Sequence, residues 1–223
     1  MDIGLSFTFP FSDSDWFKKL ILVGLVGLIP IIGQFVVMGF MGQVITRYIH
    51  NDAELLPDLD FGGQLSLGFK LFIVSFVYFL PVFIFLIPTW IIAPIAASMG
   101  DAGNDSASAM LIFLSIFSFC CGSLAILYAI CINFLVPIAY TRVALEETIG
   151  AGFKFSEIFA ILKANLVNYL IALLLTAFAG GAIMSVGSMV CVVGVIFAMP
   201  YAFAMQGNLY GQAYKIAQSK QVV

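Results

Sequence analysis

The sequence predicts an all-α fold, a polytopic transmembrane helical bundle, and three observations carry that expectation. Hydrophobic residues make up 62% of the 223 and charged residues only 9%, with a mean hydropathy of +1.11. An average globular chain is roughly half apolar and about a quarter charged, and 9 Lys and Arg with 12 Asp and Glu cannot coat a soluble particle of 24.2 kDa. Secondly, four uncharged runs, 20–46, 71–100, 106–141 and 164–214, each exceed the roughly 20 residues of one crossing. Thirdly, the lead into these runs recurs. Phe9-Pro10-Phe11-Ser12-Asp13 returns as Phe153-Lys154-Phe155-Ser156-Glu157, with Lys19 and Lys163 at the same distance beyond, and Leu59-Asp60-Phe61-Gly62-Gly63 before Lys70 is a degenerate third copy. The far ends match too: Gly42-Gln43-Val44-Ile45-Thr46-Arg47 resembles Gly211-Gln212-Ala213-Tyr214-Lys215, and Thr46-Arg47 resembles Thr141-Arg142.

The repeats divide one membrane domain, 1–223, into three helical hairpins at 9–50, 59–142 and 153–215, each led in by an interfacial helix. In the first, Ser12 and Asp15 have the form of a capping box, and Trp16-Phe17-Lys18-Lys19 sets aromatic rings beside lysines at headgroup depth. No basic stretch precedes Asp13 and Asp15, so the N-terminus is not read as a cleavable signal, and the first membrane segment serves as its own insertion signal. Run 20–46 breaks at Ile29-Pro30-Ile31-Ile32-Gly33. It is either a short, re-entrant hairpin, with arms below the roughly 30 Å hydrocarbon thickness, or one kinked span. Run 71–100 carries Pro81, Pro88 and Pro94, which predict kinking, unwinding or a position near the outer surface in its second half. Run 106–141 reads as one helix reaching into an interface, weakest at Cys121-Gly122-Ser123. In the third hairpin Ser156 and Glu157 read as an N-cap and a first-turn acid, and run 164–214 divides near Gly180-Gly181 or Gly187.

With three hairpins, the connections at 30–33, 99–109 and 180–187 face one side and all 9 Lys and Arg face the other. The positive-inside rule makes the basic side cytoplasmic, with both termini and the loops 47–70 and 142–163. A single span over 20–46 would instead put Lys18 and Lys19 outside.

Candidate sites are few. His50 reads as a solvated loop residue with no nucleophile and acid arranged around it, and Asp52, Glu54, Asp58 and Asp60 as a solvated acidic loop without the turning glycine of an EF-hand. Cys120, Cys121, Cys131 and Cys191 read as unpaired, buried packing thiols. No catalytic, metal-binding or cofactor-binding constellation and no phosphate-cradling glycine pattern is present, and the net charge of −3 argues against nucleic acid. No charged residue lies deep in a span, which lowers the expectation of charged-substrate transport. The intramembrane polar residues include Gln34, Gln43, Asn133 and Gln206, together with two pairs at helical spacing, Asn165 with Asn168 and Asn208 with Gln212. These four either bond helix to helix or line a polar vestibule opening toward the cytoplasm. Gly24 with Gly27, Gly39 with Gly42, and Gly207 with Gly211 provide small faces for close helix packing, within the chain or between copies.

Phe9-Pro10-Phe11 to Asp15-Trp16 with Lys18-Lys19, the Ile29–Gly33 break, Gly39-Phe40 with Arg47, and Leu56-Pro57-Asp58-Leu59-Asp60 leading to Gly68-Phe69-Lys70 together resemble a family of prokaryotic integral membrane proteins. That family is known only as a domain of unknown function (the 4013 type), and the resemblance runs over nearly the whole chain. Members often carry Trp where this chain has Asp58 and Tyr where it has Phe40. The resemblance implies a cell membrane and assigns no catalytic or binding residue. Two functions remain: a non-enzymatic scaffold or accessory subunit packing on membrane proteins or lipid, and a small permease or lipid-handling protein for uncharged or amphiphilic substrates.

Overall fold

In the computed structural model, residues 1–99 and 105–221 are described, and among them every regular element is helical. The order is α1 (Ile3–Ser12), α2 (Trp16–Gly27), α3 (Ile32–His50), α4 (Phe61–Met99), α5 (Asp105–Glu146), a 3-10 turn (Ile149–Phe153), α6 (Phe155–Leu175), a π-helical segment (Thr176–Gly180), α7 (Gly181–Met189) and α8 (Cys191–Gln221). Two compact units are distinguished, one of Met1–Ser75 with Phe134–Val223, the other of Phe76–Asn133. Among the described residues, three stretches are long and apolar enough to cross a membrane: Phe61–Ile92, Met110–Glu146 and Phe155–Met189.

The larger unit is organised on α8, which packs against α1, α2, α3, α6 and α7. Residues 16–50 fold back on themselves. Leu20 and Val23 of α2 share a buried cluster with Val37, Phe40 and Val44 of α3, and Lys19 and Arg47 donate to the same carbonyl, that of Leu56, at 3.2 and 3.1 Å. The reversal at 28–31 uses a positive φ of 67° at Ile31. Leu28, Ile29, Pro30, Ile31 and Ile32 are all exposed there, yet the backbone is bonded within the turn: Ile29 N–H donates to Val26, Ile32 to Pro30 and Gly33 to Ile29. The Gln34 amide adds a bond to the Gly27 carbonyl at 3.3 Å. An apolar tip whose backbone is satisfied internally meets the requirement that lipid sets on irregular chain.

Other elements depart from the sequence reading. Ser12 closes α1 rather than capping α2, and its hydroxyl donates to Phe9 O; Asp15 stands at the α2 N-cap without a side-chain bond. Ser156 lies inside α6, whose N-cap is Lys154. The third copy does form a cap, Asp60 accepting from Gly63 N at 3.1 Å. The copies therefore take different local structure: Phe9–Phe11 ends a helix, Phe155 begins one, and Lys19 is buried where Lys163 is exposed. Short matches in so apolar a sequence arise from composition as readily as from duplication.

Helix α4 continues through Pro81, Pro88 and Pro94, and α5 through Cys121-Gly122-Ser123. The expected connection at 99–109 lies partly outside the described residues. Run 164–214 divides at Val190 and Cys191, where Cys191 has φ 56°, while Gly180 and Gly181 stay helical. Gly187 and Gly194 flank that reversal and let α7 and α8 touch: a Cβ on Gly194 would lie 2.1 Å from the Gly187 carbonyl oxygen. The four cysteines are unpaired, as expected, but Cys120, Cys131 and Cys191 are exposed and Cys121 half-buried rather than buried. A thiol is a small hydrophobe, and an outward face suits it where the surroundings are lipid. His50 ends α3 instead of lying in a loop.

The glycine pairs serve contacts within the chain. A Cβ on Gly39 would fall 1.8 Å from the Gln64 carbonyl oxygen of α4, one on Gly68 1.7 Å from that of Phe35, and one on Gly24 1.8 Å from that of Ile196. Gly207 meets Met41 and Gly211 meets Tyr48, seating α8 on α3. Because the obstacle at Gly39 is backbone, one methyl group must push two helices apart. We expect Gly39→Ala to destabilise the protein by about 1–3 kcal/mol, the usual range for overpacking, in thermal unfolding in detergent. Gly122→Ala, where nothing lies within 4 Å, should leave stability unchanged or slightly raised. Equal melting of the two variants would contradict the α3–α4 contact.

Candidate functional site

Most of the buried polar side chains described in the larger unit fall into clusters. The first clasps the two ends of the chain. Gln212 of α8 donates through Nε2 to the Asp2 carbonyl at 2.8 Å, to Ser6 Oγ at 2.9 Å and to Asn208 Oδ1 at 2.7 Å, and accepts from Asp2 N–H at 2.6 Å. Ser6 donates to Asn208 Oδ1 at 2.8 Å. Ser6, Asn208 and Gln212 are all buried. The i, i+4 spacing of Asn208 and Gln212 presents both amides to the first turns of α1, whose N-cap is Asp2.

The second group surrounds Asn165. Its φ of −145° and ψ of 37° are non-helical, so α6 is two helices joined at this residue. Asn165 Nδ2 donates to the Ala213 carbonyl of α8 at 2.9 Å, and its Oδ1 accepts from Asn168 at 2.7 Å and from Lys220 at 3.0 Å. From 166 to 189 the continuing helix rises about 36 Å at roughly 1.5 Å per residue, close to the hydrocarbon thickness. Asn165 thus marks the break between a ten-residue first helix, 155–164, and a stretch long enough to cross. The four vestibule residues named from the sequence are not gathered around one opening: Asn165 with Asn168 and Asn208 with Gln212 form separate clusters, bonded to one another and to backbone.

The third group was not legible in the sequence. Lys19, read there as a headgroup lysine, is buried, its side chain 6% exposed, and pairs with Asp13 at 2.7 Å, Glu54 at 3.4 Å and Asp58 at 3.7 Å. Arg47 reaches the Glu54 carbonyl at 3.2 Å. Two of the four acids read as a solvated loop thus hold a buried cation and fix the 51–60 connection to α2. Burial pushes the Asp13 carboxyl up, but the Lys19 ammonium and the Asp15 N–H outweigh it and hold the group below its ordinary value. A further ion cluster joins α5 to α6: Arg142, also buried, meets Glu146 and Glu157, and Lys154 meets Glu146 at 2.8 Å. Among the described residues no group of three or more His, Cys, Asp or Glu is placed to hold a metal ion.

Away from these clusters an apolar groove of about 690 Å³ runs between the start of α2 and the α7–α8 pair. Phe17 and Leu20 form one wall, and Val186, Phe197 and Tyr201 the other. Phe11, Trp16, Phe17 and Phe197 stack in series at centroid separations of 5.0–5.5 Å.

An all-helical protein with apolar spans, and with buried amides and ion pairs joining its helices, belongs by construction to the polytopic membrane class. The chain is a member of the family described as Protein of unknown function (DUF4013), which matches residues 22–192. The match excludes α1, the first six residues of α2 and all but the first two residues of α8, so the clasp of Asp2, Ser6, Asn208 and Gln212 lies outside it, as does Lys19. No curated protein and no solved structure matches the chain.

The Asp13 carboxyl contributes to stability where it is ionised. Its folded pKa lies below the unfolded one, so this contribution is complete above about pH 4 and is lost as pH falls through the folded value. Protease cleavage within 51–60 should therefore increase on acidification, and Asp13→Asn should make that connection cleavable at neutral pH. Equal cleavage of parent and variant at pH 7 would remove Lys19 from this role. Gln212→Leu, which strips Asn208, Ser6 and Asp2 of partners, should lower stability by about 1–3 kcal/mol and expose α1 to proteolysis; an unchanged melting curve would count against the clasp.

Proposed function

We propose that this chain is a non-enzymatic integral membrane protein, a scaffold or accessory subunit of the cell membrane whose outward helix faces pack against lipid, another membrane protein or a second copy. The observation that carries this reading is the engagement of its amides. Asn165, Asn208 and Gln212 bond helix to helix and helix to backbone. In a carrier, polar groups at such depth would turn toward a substrate. Outward-facing Phe83 and Trp90 of α4 and Phe113 and Phe119 of α5 supply apolar surface for lipid or for a partner's helix. Purification in mild detergent tests the reading: it expects a membrane protein co-purifying in fixed stoichiometry, or a defined homo-oligomer, and a lone monomer with no enrichment of either would oppose it.

A second reading, a small permease or lipid-handling protein for uncharged or amphiphilic substrates, draws support from the apolar groove along Phe17, Leu20 and Phe197, whose walls suit an acyl chain. Extraction of a bound amphiphile from the purified monomer would favour it over the scaffold.

In either case we assign both termini to the cytoplasmic side, because Lys19, Arg47 and Lys215 gather at the connection after α3, the first two on the Leu56 carbonyl and the third on Asn51, and basic residues favour that side. The α2–α3 hairpin then enters and leaves from that side with Leu28–Ile32 in the lipid. In a variant freed of native cysteines, one new cysteine at the exposed Ser14 should resist an impermeant thiol reagent in intact cells and react after permeabilisation. Labelling from outside would reverse the assignment.

A further inference from the structure

We propose that the polar cavity between α3, α4 and the end of α5 binds a phosphoethanolamine group, phosphate inward and ammonium at the rim. The cavity holds about 310 Å³, and its lining includes Thr46 and Arg47 of α3, Asp60, Ser66 and Lys70 at the start of α4, and Glu147 just beyond α5. That volume is at the small end for ligand pockets, suited to a headgroup rather than a whole lipid.

Charge is what singles this cavity out. Two cations and two carboxylates surround one space, and no ion pair forms among them: the salt bridges of the described residues belong to Lys19, Arg142 and Lys154. Each of the four is held by the fold in another way. The Arg47 guanidinium donates to the carbonyls of Glu54 and Leu56, and its charge also reaches Asp13, but it is in no ion pair with a lining carboxylate. Asp60 accepts from Gly63 N–H at the first turn of α4. Glu147 sits on a residue with φ 52°, fixed by its N–H bond to Val143 O at 2.9 Å. Lys70 is positioned by the helix it stands on. Opposite charges kept apart around a concavity are complementary to a ligand that carries both signs.

The arrangement also orders those signs. Arg47 and Lys70 are half-buried, whereas Asp60 and Glu147 are exposed. An anion with several oxygens can engage both cations, and guanidinium with phosphate is among the stronger charge-assisted pairs. A primary ammonium at the rim can donate to the two carboxylates; a trimethylated one has no proton to give. A simple anion would also meet the two exposed carboxylates, and a simple cation the two half-buried positive groups. The phosphoethanolamine group is carried both by a phospholipid and by a small soluble phosphate ester, and the chemistry of recognition is the same. This inference stands apart from the scaffold reading, since either function is compatible with it.

The test is binding to the purified full chain in detergent, by calorimetry, of three probes: short-chain phosphatidylethanolamine, the phosphatidylcholine of equal chain length, and free phosphoethanolamine. Saturable binding of the ethanolamine lipid at least tenfold tighter than of the choline lipid is expected for a headgroup site, and binding of free phosphoethanolamine alone for a soluble ligand. Lys70→Gln, and separately Glu147→Gln, should each weaken that binding about tenfold, while Lys70→Arg retains it. Asp60→Asn, which keeps an acceptor for Gly63 N–H, should weaken it without lowering the melting temperature. The proposal is overturned if no probe saturates, if choline and ethanolamine lipids bind alike, or if Lys70→Gln and Glu147→Gln bind as the parent does while remaining folded.

Discussion

Helix α3 is held so closely between α4 and α8 that backbone touches backbone, and much of the larger unit follows from that closeness. Lipid is as apolar as the side chains it surrounds, so burial alone does not press helices together there; dense contact and hydrogen bonds must. Gly39 and Gly68 on one seam and Gly207 on the other remove the side chains that would keep the helices apart. Polar bridges then tie α3 to α4 and to α5, and α4 to the connection before it. Gln64 donates to Gln43 at 2.9 Å and to the Asp58 carbonyl at 2.8 Å, and Thr46 donates to the Ala144 carbonyl of α5 at 3.2 Å. Each such bond is worth little, averaging roughly 0.6 kcal/mol where measured. Beside contacts already closed by glycine, their placement sets the register at which the helices meet.

The charged end has a different task. Lys19 and Arg142 are both buried, and each draws in acids from another segment, Lys19 from the 51–60 connection and Arg142 from α6. A buried pair is seldom a large net source of stability, but removing one partner is costly because the other charge is stranded. These clusters therefore act as latches on the connections. They specify where the chain between two membrane segments must lie.

Composition was enough to read membrane class and helical fold, since both depend on counts of charged and apolar residues. The break at 29–33 was also legible, because Pro30 and Gly33 punctuate the run. The reversal at Val190 and Cys191 was legible only in part: of the two places the sequence offered, Gly187 lies three residues before it, while the Gly180-Gly181 pair stays helical, and neither Val190 nor Cys191 is itself a turn former. Asn165 stood out as a polar residue in an apolar run, but its part in breaking α6 depends on the Ala213 carbonyl of α8, 48 residues further on. Lys19 was missed for the same reason, one of its partners being Glu54, 35 residues away. Pairings of that range leave no trace in local spacing. The glycine motifs were visible as close-packing faces, and only the fold could say that they meet neighbours within the same chain.

The position of α8 in chain order has a consequence for biogenesis. It follows α1, α2, α3, α6 and α7, helices it packs against, and also the end of α5, so during synthesis each of them emerges before α8 exists. Until then Ser6 lacks Asn208 and Gln212, Gly24 lacks the Ile196 backbone it packs against, and the first helix of α6 has no carbonyl for Asn165 to hold. The α2–α3 hairpin must wait in or on the bilayer as a half-assembled element, its polar groups sheltered by water or by the insertion machinery. Completion of the larger unit is then a late, nearly single step that occurs when α8 is released, and a truncation within α8 would leave the earlier helices inserted but unassembled.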